Sequence, residues 1–126
     1  MTASMPAIAT VVLNWNGRDT TLACVQTVLD CGQPPAAVIV VDNGSTDDSV
    51  AALHARFPAL TVLAAGENLG FARGNNLGVQ HALAAFAPDL VFLLNNDAFI
   101  NADTLPRLRA ALDGNLRAGA AVPKIY

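Results

Sequence analysis

The sequence predicts an α/β fold: a mostly parallel sheet with helices on both faces. Four short β-rich apolar runs alternate with segments of helical period, the order that a parallel sheet with crossover helices requires. Each run is continuously apolar instead of alternating with polar residues, which marks strands buried from two sides. A cluster of Asn, Asp and Gly follows most runs, so strand ends coincide with chain reversals.

The first strand is expected over Ala7–Leu13, the second over Ala36–Val41, the third over Leu60–Leu63 and the fourth over Leu90–Leu94. Leu22, Val25, Val28 and Leu29 mark the inward face of a first helix, and Val50, Leu53 and Phe57 that of a second. Ser45 or Thr46 can cap the second helix, Asp47 and Asp48 suit its positive end, and Pro58 stops it. A third helix is expected from about Asn75 to Phe86, with Val79, Leu83 and Phe86 inward and Pro88 beyond its end. The fourth begins near Asp103 or Thr104, carries Pro106 in its first turn, shows Leu105, Leu108 and Leu112 on one side, and meets Gly114. The tail Ala118–Tyr126 can start a fifth strand.

With 126 residues the chain fits a single domain, 1–126. Apolar residues make up 53% and charged residues 13%, against about 45–50% and about 25% in ordinary domains, so the composition is that of a packed core. The net charge of −3 has the wrong sign for gripping nucleic acid through phosphates. The longest apolar runs fall far short of the roughly 20 residues that span a bilayer. The start, Met1 to Pro6, lacks the basic and apolar regions of a secretory signal, so a cytoplasmic chain is expected. Cys24 and Cys31 stand seven residues apart, about 10 Å along a helix, too far for a disulfide, and are read as buried small apolar residues.

Ligands of an open parallel sheet gather beyond the C-terminal strand ends, where helix N-termini open a crevice. Those ends read Asn14-Trp-Asn-Gly17, Asp42-Asn-Gly-Ser-Thr-Asp47, Glu67-Asn-Leu-Gly70 and Asn95-Asn-Asp97. Turns alone do not require so much Asn, Asp and Gly at one rim.

In order and spacing, Val11–Gly17, Val41–Asp47, Asn68–Asn76 and Leu93–Asp97 resemble the family 2 glycosyltransferases of GT-A fold, a Rossmann-like sheet, and most closely the rhamnosyltransferase-like branch. The resemblance covers about residues 7–126. It implies inverting transfer of a sugar from a UDP- or dTDP-sugar to an acceptor hydroxyl, with a saccharide or lipid-linked acceptor, in bacterial cell-surface polysaccharide synthesis. A lipid-linked acceptor extends the expected location to the inner face of the membrane.

Asp42 can accept the imide N–H of a uracil or thymine ring; an Asx-turn is the other reading. Asn14 lies where the family contacts the base, with Asn16 and Trp15 in the same loop; Trp15 either stacks on the base or anchors the first helix. Asn43 is included with Asp42 in the nucleotide-sugar set, and Gly44 lets backbone approach a ligand or adopt positive φ. Ser45 and Asp47 are expected to serve the turn and the helix cap. Asn68, Gly70, Gly74 and Asn75 form an amide and glycine framework, and Arg73 reaches the base or diphosphate or else lies solvated at the surface. Asn95-Asn-Asp97 takes the place of the family's DxD motif: Asp97 is the expected Mg²⁺ or Mn²⁺ ligand, or alternatively a turn residue, while Asn95 and Asn96 contact the donor. The departure from the pattern is Asn95, which leaves one anionic ligand.

No residue matches the family's general base, expected from a C-terminal half, so no catalytic residue is assigned and the chain is read as the donor-binding part, truncated after the DxD region. An exposed sheet edge would favour a homodimer. The competing readings are a catalytically inactive nucleotide-binding module, a receiver or flavodoxin-like domain, for which Asn14 and Asn16 replace the required acidic residues, and a pyrophosphorylase-like enzyme, whose basic phosphate loop is lacking.

Overall fold

The computed structural model describes residues 7–123. Four strands, β1 (Ile8–Asn14), β2 (Val38–Asp42), β3 (Thr61–Ala64) and β4 (Leu90–Asn95), form one sheet in the order β3-β2-β1-β4, every pairing parallel. The helices α1 (Arg18–Asp30), α2 (Ser49–Arg56), α3 (Phe71–Phe86) and α4 (Thr104–Asp113) alternate with or follow the strands as expected.

The sheet separates two cores. Val12, Val38 and Val40 face α1 and α2, meeting Cys24, Val25, Val28, Leu53 and Phe57. Their neighbours Val11, Ile39 and Val41 face the other way, onto Ala82, Leu77 and Val79 of α3. Burial of each such valine or isoleucine contributes about 1.5–3 kcal/mol. The same alternation turns Asn14 and Asp42, which pair in register at the ends of β1 and β2, toward α1.

Five expectations are corrected. The third helix begins at Phe71, four residues early, so Arg73 and Asn75 are helical. Val79 and Phe86 pack inward as expected, but Leu83 is 55% exposed, and the positions buried against the sheet are Gly74, Gly78 and Ala82. A Cβ on Gly78 would lie 2.5 Å from Val11 Cγ1, so α3 packs too close to the sheet for larger residues there. The second helix starts at Ser49 with Asp48 at its N-cap; Asp47, not Ser45 or Thr46, accepts from the Ser49 N–H and hydroxyl. A 3₁₀ turn, Pro35–Ala37, takes the start of the expected second strand: Pro35 sits in its first turn with a fixed helical φ, and the Ala37 N–H donates to the Pro34 carbonyl at 3.0 Å. Ala118–Pro123 forms no strand, and the rest of that tail lies outside the described residues.

Both cysteines are free, Cys24 buried and Cys31 half-buried. No helix among the described residues is long and apolar enough to cross a membrane.

Candidate functional site

The parallel pairings bring Asn14, Asp42, Ala64 and Asn95 to one rim of the sheet. Asp42 is only 5% exposed. Its Oδ1 accepts from Asn14 Nδ2 at 2.9 Å and from the Ser45 hydroxyl at 2.6 Å, and its Oδ2 accepts from the Ser45 N–H at 3.1 Å. The side chain thus closes a local turn on the N–H three residues on, which holds the carboxylate in place.

Asn14 is fully buried. Its side-chain amide is engaged within the chain, by Asp42, by Ser45 at 3.2 Å and by the Thr21 hydroxyl at 2.6 Å. Asn14 thus supports the rim from beneath. Asn16, at φ 49°, accepts the N–H groups of Thr46 and Asp47 at 2.7 and 3.1 Å, and so joins the β1 loop to the β2 loop.

Asn43 is 2% exposed and fastens the next loop: its Nδ2 donates to Asn68 Oδ1 and the Gly70 carbonyl, both at 3.2 Å, and its Oδ1 accepts the Leu69 N–H at 3.0 Å. Gly44 has φ +79°, and a Cβ there would stand 2.8 Å from the Glu67 backbone, so glycine is needed for both reasons. Asn68 also accepts the Gly70 N–H at 2.9 Å, and Gly70 caps α3. Asn75 is buried and donates to the Phe71 carbonyl within its own helix. Arg73 is exposed in the first turn of α3, with no ion-pair partner among the described residues.

On the β4 side, a cleft of about 320 Å³ is lined by Leu13, Trp15, Phe71, Asn95, Asn96 and Asp97. Trp15 is 55% exposed and Phe71 65%, which overturns the reading of Trp15 as a buried anchor and gives the cleft two aromatic walls. Asp97 and Asn95 are exposed, and Asn96 is half-buried. Burial, with a smaller contribution from the Asp97 charge, pushes the Cys24 thiol up to about 12, so beneath this loop it is a neutral thiol. Among the described residues no group of three His, Cys, Asp or Glu side chains could hold a metal ion unaided. The donor set at Asp97, one carboxylate and neighbouring amide oxygens, fits a hard cation that takes its other ligands from phosphate and water.

A second groove, about 270 Å³, lies at the opposite end of β4 between Ile8, Leu90 and the Leu105, Leu108, Leu112 face of α4. Its arginine, Arg109, is bound to Asp89 and Asp113, so no free polar groups converge there.

Thr21 and Phe71 were not read as site residues from the sequence. Thr21 occupies an inward position of α1 in line with Cys24, Val25 and Val28, and a lone hydroxyl on that apolar stripe was the available signal. Phe71 lies within the Asn68–Asn76 segment that carries the resemblance, but in a stretch expected to be loop, where its orientation has no sequence signal.

The family model described as Glycosyl transferase family 2 matches residues 10–126. The chain belongs to glycosyl transferase family 2. Solved structures similar to it include the mannosyltransferase PcManGT from Pyrobaculum calidifontis in complex with GDP-Man and Mn²⁺, at 24% identity and a TM-score of 0.70, covering 87% of this chain and 33% of that one. S. aureus TarS 1-349 in complex with UDP-GlcNAc matches at 21% identity and a TM-score of 0.68, over 93% and 37% of the two chains. Glucosyl-3-phosphoglycerate synthase from Mycobacterium tuberculosis, with UDP, matches at 23% and 0.56, over 85% and 40%. The likeness establishes a GT-A, Rossmann-like fold, and the chain spans between a third and two fifths of those chains' lengths. No curated protein matches it.

Proposed function

We propose that this chain is the donor-binding part of an inverting glycosyltransferase that uses a UDP- or dTDP-sugar, and that it serves bacterial cell-surface polysaccharide synthesis as a rhamnosyltransferase-like member of its family. The observation that carries the reading is the pairing, on one rim, of an enclosed and oriented carboxylate, Asp42, with an exposed one, Asp97. Asp42 accepts the imide N–H of the base, and its internal hydrogen bonds fix the direction from which that N–H must come. Trp15 and Phe71 offer faces on which the ring or sugar packs. Arg73, at the positive end of α3, is free to meet the diphosphate.

Asp97, with Asn95 and Asn96, would hold Mg²⁺ or Mn²⁺, which supplies charge neutralisation for the departing nucleoside diphosphate. In the reaction the acceptor hydroxyl oxygen bonds to the anomeric carbon from the face opposite the leaving group. The bond from that carbon to the β-phosphate oxygen breaks, and the hydroxyl proton passes to a base. We assign no base within this chain: Asp103 and Asp113 stand at the two ends of α4. The neighbours' nucleotides include both GDP-Man and UDP, so the fold leaves the base to the local acceptor set.

Calorimetric titration with UDP, dTDP, GDP and ADP, with and without Mn²⁺, tests the reading. UDP or dTDP is expected to bind about tenfold more tightly than ADP, the worth of one well-placed hydrogen bond to a charged group, and only with metal. Equal affinity for ADP would refute base recognition by Asp42, and tighter binding of GDP would refute the pyrimidine assignment.

A further inference from the structure

One unbroken series of hydrogen bonds links the two halves of the rim. Asn96 Nδ2 donates to Thr21 Oγ1 at 3.1 Å, Thr21 Oγ1 donates to Asn14 Oδ1 at 2.6 Å, and Asn14 Nδ2 donates to Asp42 Oδ1 at 2.9 Å. Its polarity follows from its last member. A carboxylate only accepts, so Asn14 must turn its NH₂ to Asp42 and its carbonyl to Thr21. The Thr21 hydrogen then points to Asn14, and its lone pairs are left for the Asn96 NH₂. Asn96 is thereby fixed with its Nδ2 inward, and no described donor reaches its Oδ1, in the loop that carries Asp97.

Gly17 shows independently that this path is built for. A Cβ there would lie 2.7 Å from Asn96 Nδ2, 3.3 Å from Asn14 Oδ1 and 3.6 Å from Thr21 Oγ1, three members of the series at once. Its φ of −120° is open to any residue, so the absence of a side chain serves the approach of Asn96 and not the backbone.

We propose that Thr21 is a positioning residue that, through one enclosed hydroxyl, sets Asn14 against Asp42 and Asn96 beside Asp97, and so couples the base end of the donor site to its metal end. This deepens the donor-site reading and rests on it. Thr21 itself is fully buried and meets neither ligand directly.

The test measures UDP and ADP affinity, each with and without Mn²⁺, in wild type, Thr21→Val, Thr21→Ser and Gly17→Ala, alongside the side-chain amide NMR signals of Asn14 and Asn96. Thr21→Val is expected to lower UDP affinity about tenfold, shrink both the UDP preference over ADP and the gain from Mn²⁺, and shift both amide signals. Thr21→Ser, which keeps the hydroxyl, should restore all three. Gly17→Ala displaces Asn96 without deleting a polar group and should reduce the same two ratios, which keeps the claim testable if Thr21→Val does not fold. Wild-type ratios in a folded Thr21→Val or in Gly17→Ala, or a Thr21→Ser that behaves like valine, would overturn the coupling while the donor site stands. A wild type that binds no UDP with Mn²⁺ would overturn the donor-site reading and the coupling with it.

Discussion

Asp42 and Asp97 stand on the same rim of one sheet, yet Asp42 is 5% exposed and accepts three intrachain hydrogen bonds, whereas Asp97 is exposed and accepts none among the described residues. The β2 half of the rim is finished before any ligand arrives: Asn14, Asp42 and Asn43 are enclosed, and their partners fix them. On the β4 half Asn95 and Asp97 stay in water, and Asn96 alone is tied inward, to Thr21. Such a difference suits a ligand whose base is read by a rigid acceptor and whose diphosphate is gathered by a cation that brings its own ligands. Rigidity is placed where one hydrogen must be recognised, and openness where coordination has to be completed.

The comparison breaks first at Asp42. Asp42→Ala leaves the Asn14 amide and the Ser45 N–H and hydroxyl without their acceptor, and is expected to cost about 3 kcal/mol in a urea denaturation series as well as to abolish preference among nucleotides. Asp97→Ala removes no internal bond. Stability should stay within about 0.5 kcal/mol of wild type, while the gain in UDP affinity from Mn²⁺ disappears. If both substitutions destabilised the fold equally, the proposed division of labour would be wrong.

A smaller effect sharpens the boundary between the two halves. The Ser49 hydroxyl above all, aided by the Ser49 N–H and Arg18, holds the Asp47 carboxyl below its usual value against the opposing effect of burial. Because the folded value is the lower one, the stabilisation is complete above the ordinary carboxylate range near pH 4 and is lost as pH falls through the depressed value. Asp47→Asn should therefore flatten the acid limb of a stability-against-pH curve slightly and leave the neutral region of its slope unchanged. An unchanged acid limb would show that this cap carries no protonation-linked stability.

Much of this was legible in the chain itself. Continuous apolar runs such as Val38–Val41 announce a two-sided parallel sheet, and the polar clusters that follow them locate the rim. The α3 register was only partly legible: Val79 and Phe86 pack inward, but the buried stripe is Gly74, Gly78 and Ala82, residues that carry almost no hydropathic signal, while the larger Leu83 lies in solvent. The role of Asn14 was not legible. Sequence places an amide at the rim, but only the alternation of β1 and the position of Thr21 one turn into α1 show that it faces inward to hold Asp42 instead of outward to touch a ligand.

Paramagnetic broadening of backbone amide signals by Mn²⁺, recorded with and without UDP, tests the central claim most directly. Broadening centred on Asn95, Asn96 and Asp97 that strengthens when UDP is added, with shifts at Asp42 and Ser45 reproduced by diamagnetic Mg²⁺ and UDP, is the expected result. Broadening centred elsewhere, or UDP binding that leaves Asp42 and Ser45 unperturbed, would contradict a single ligand spanning the two carboxylates.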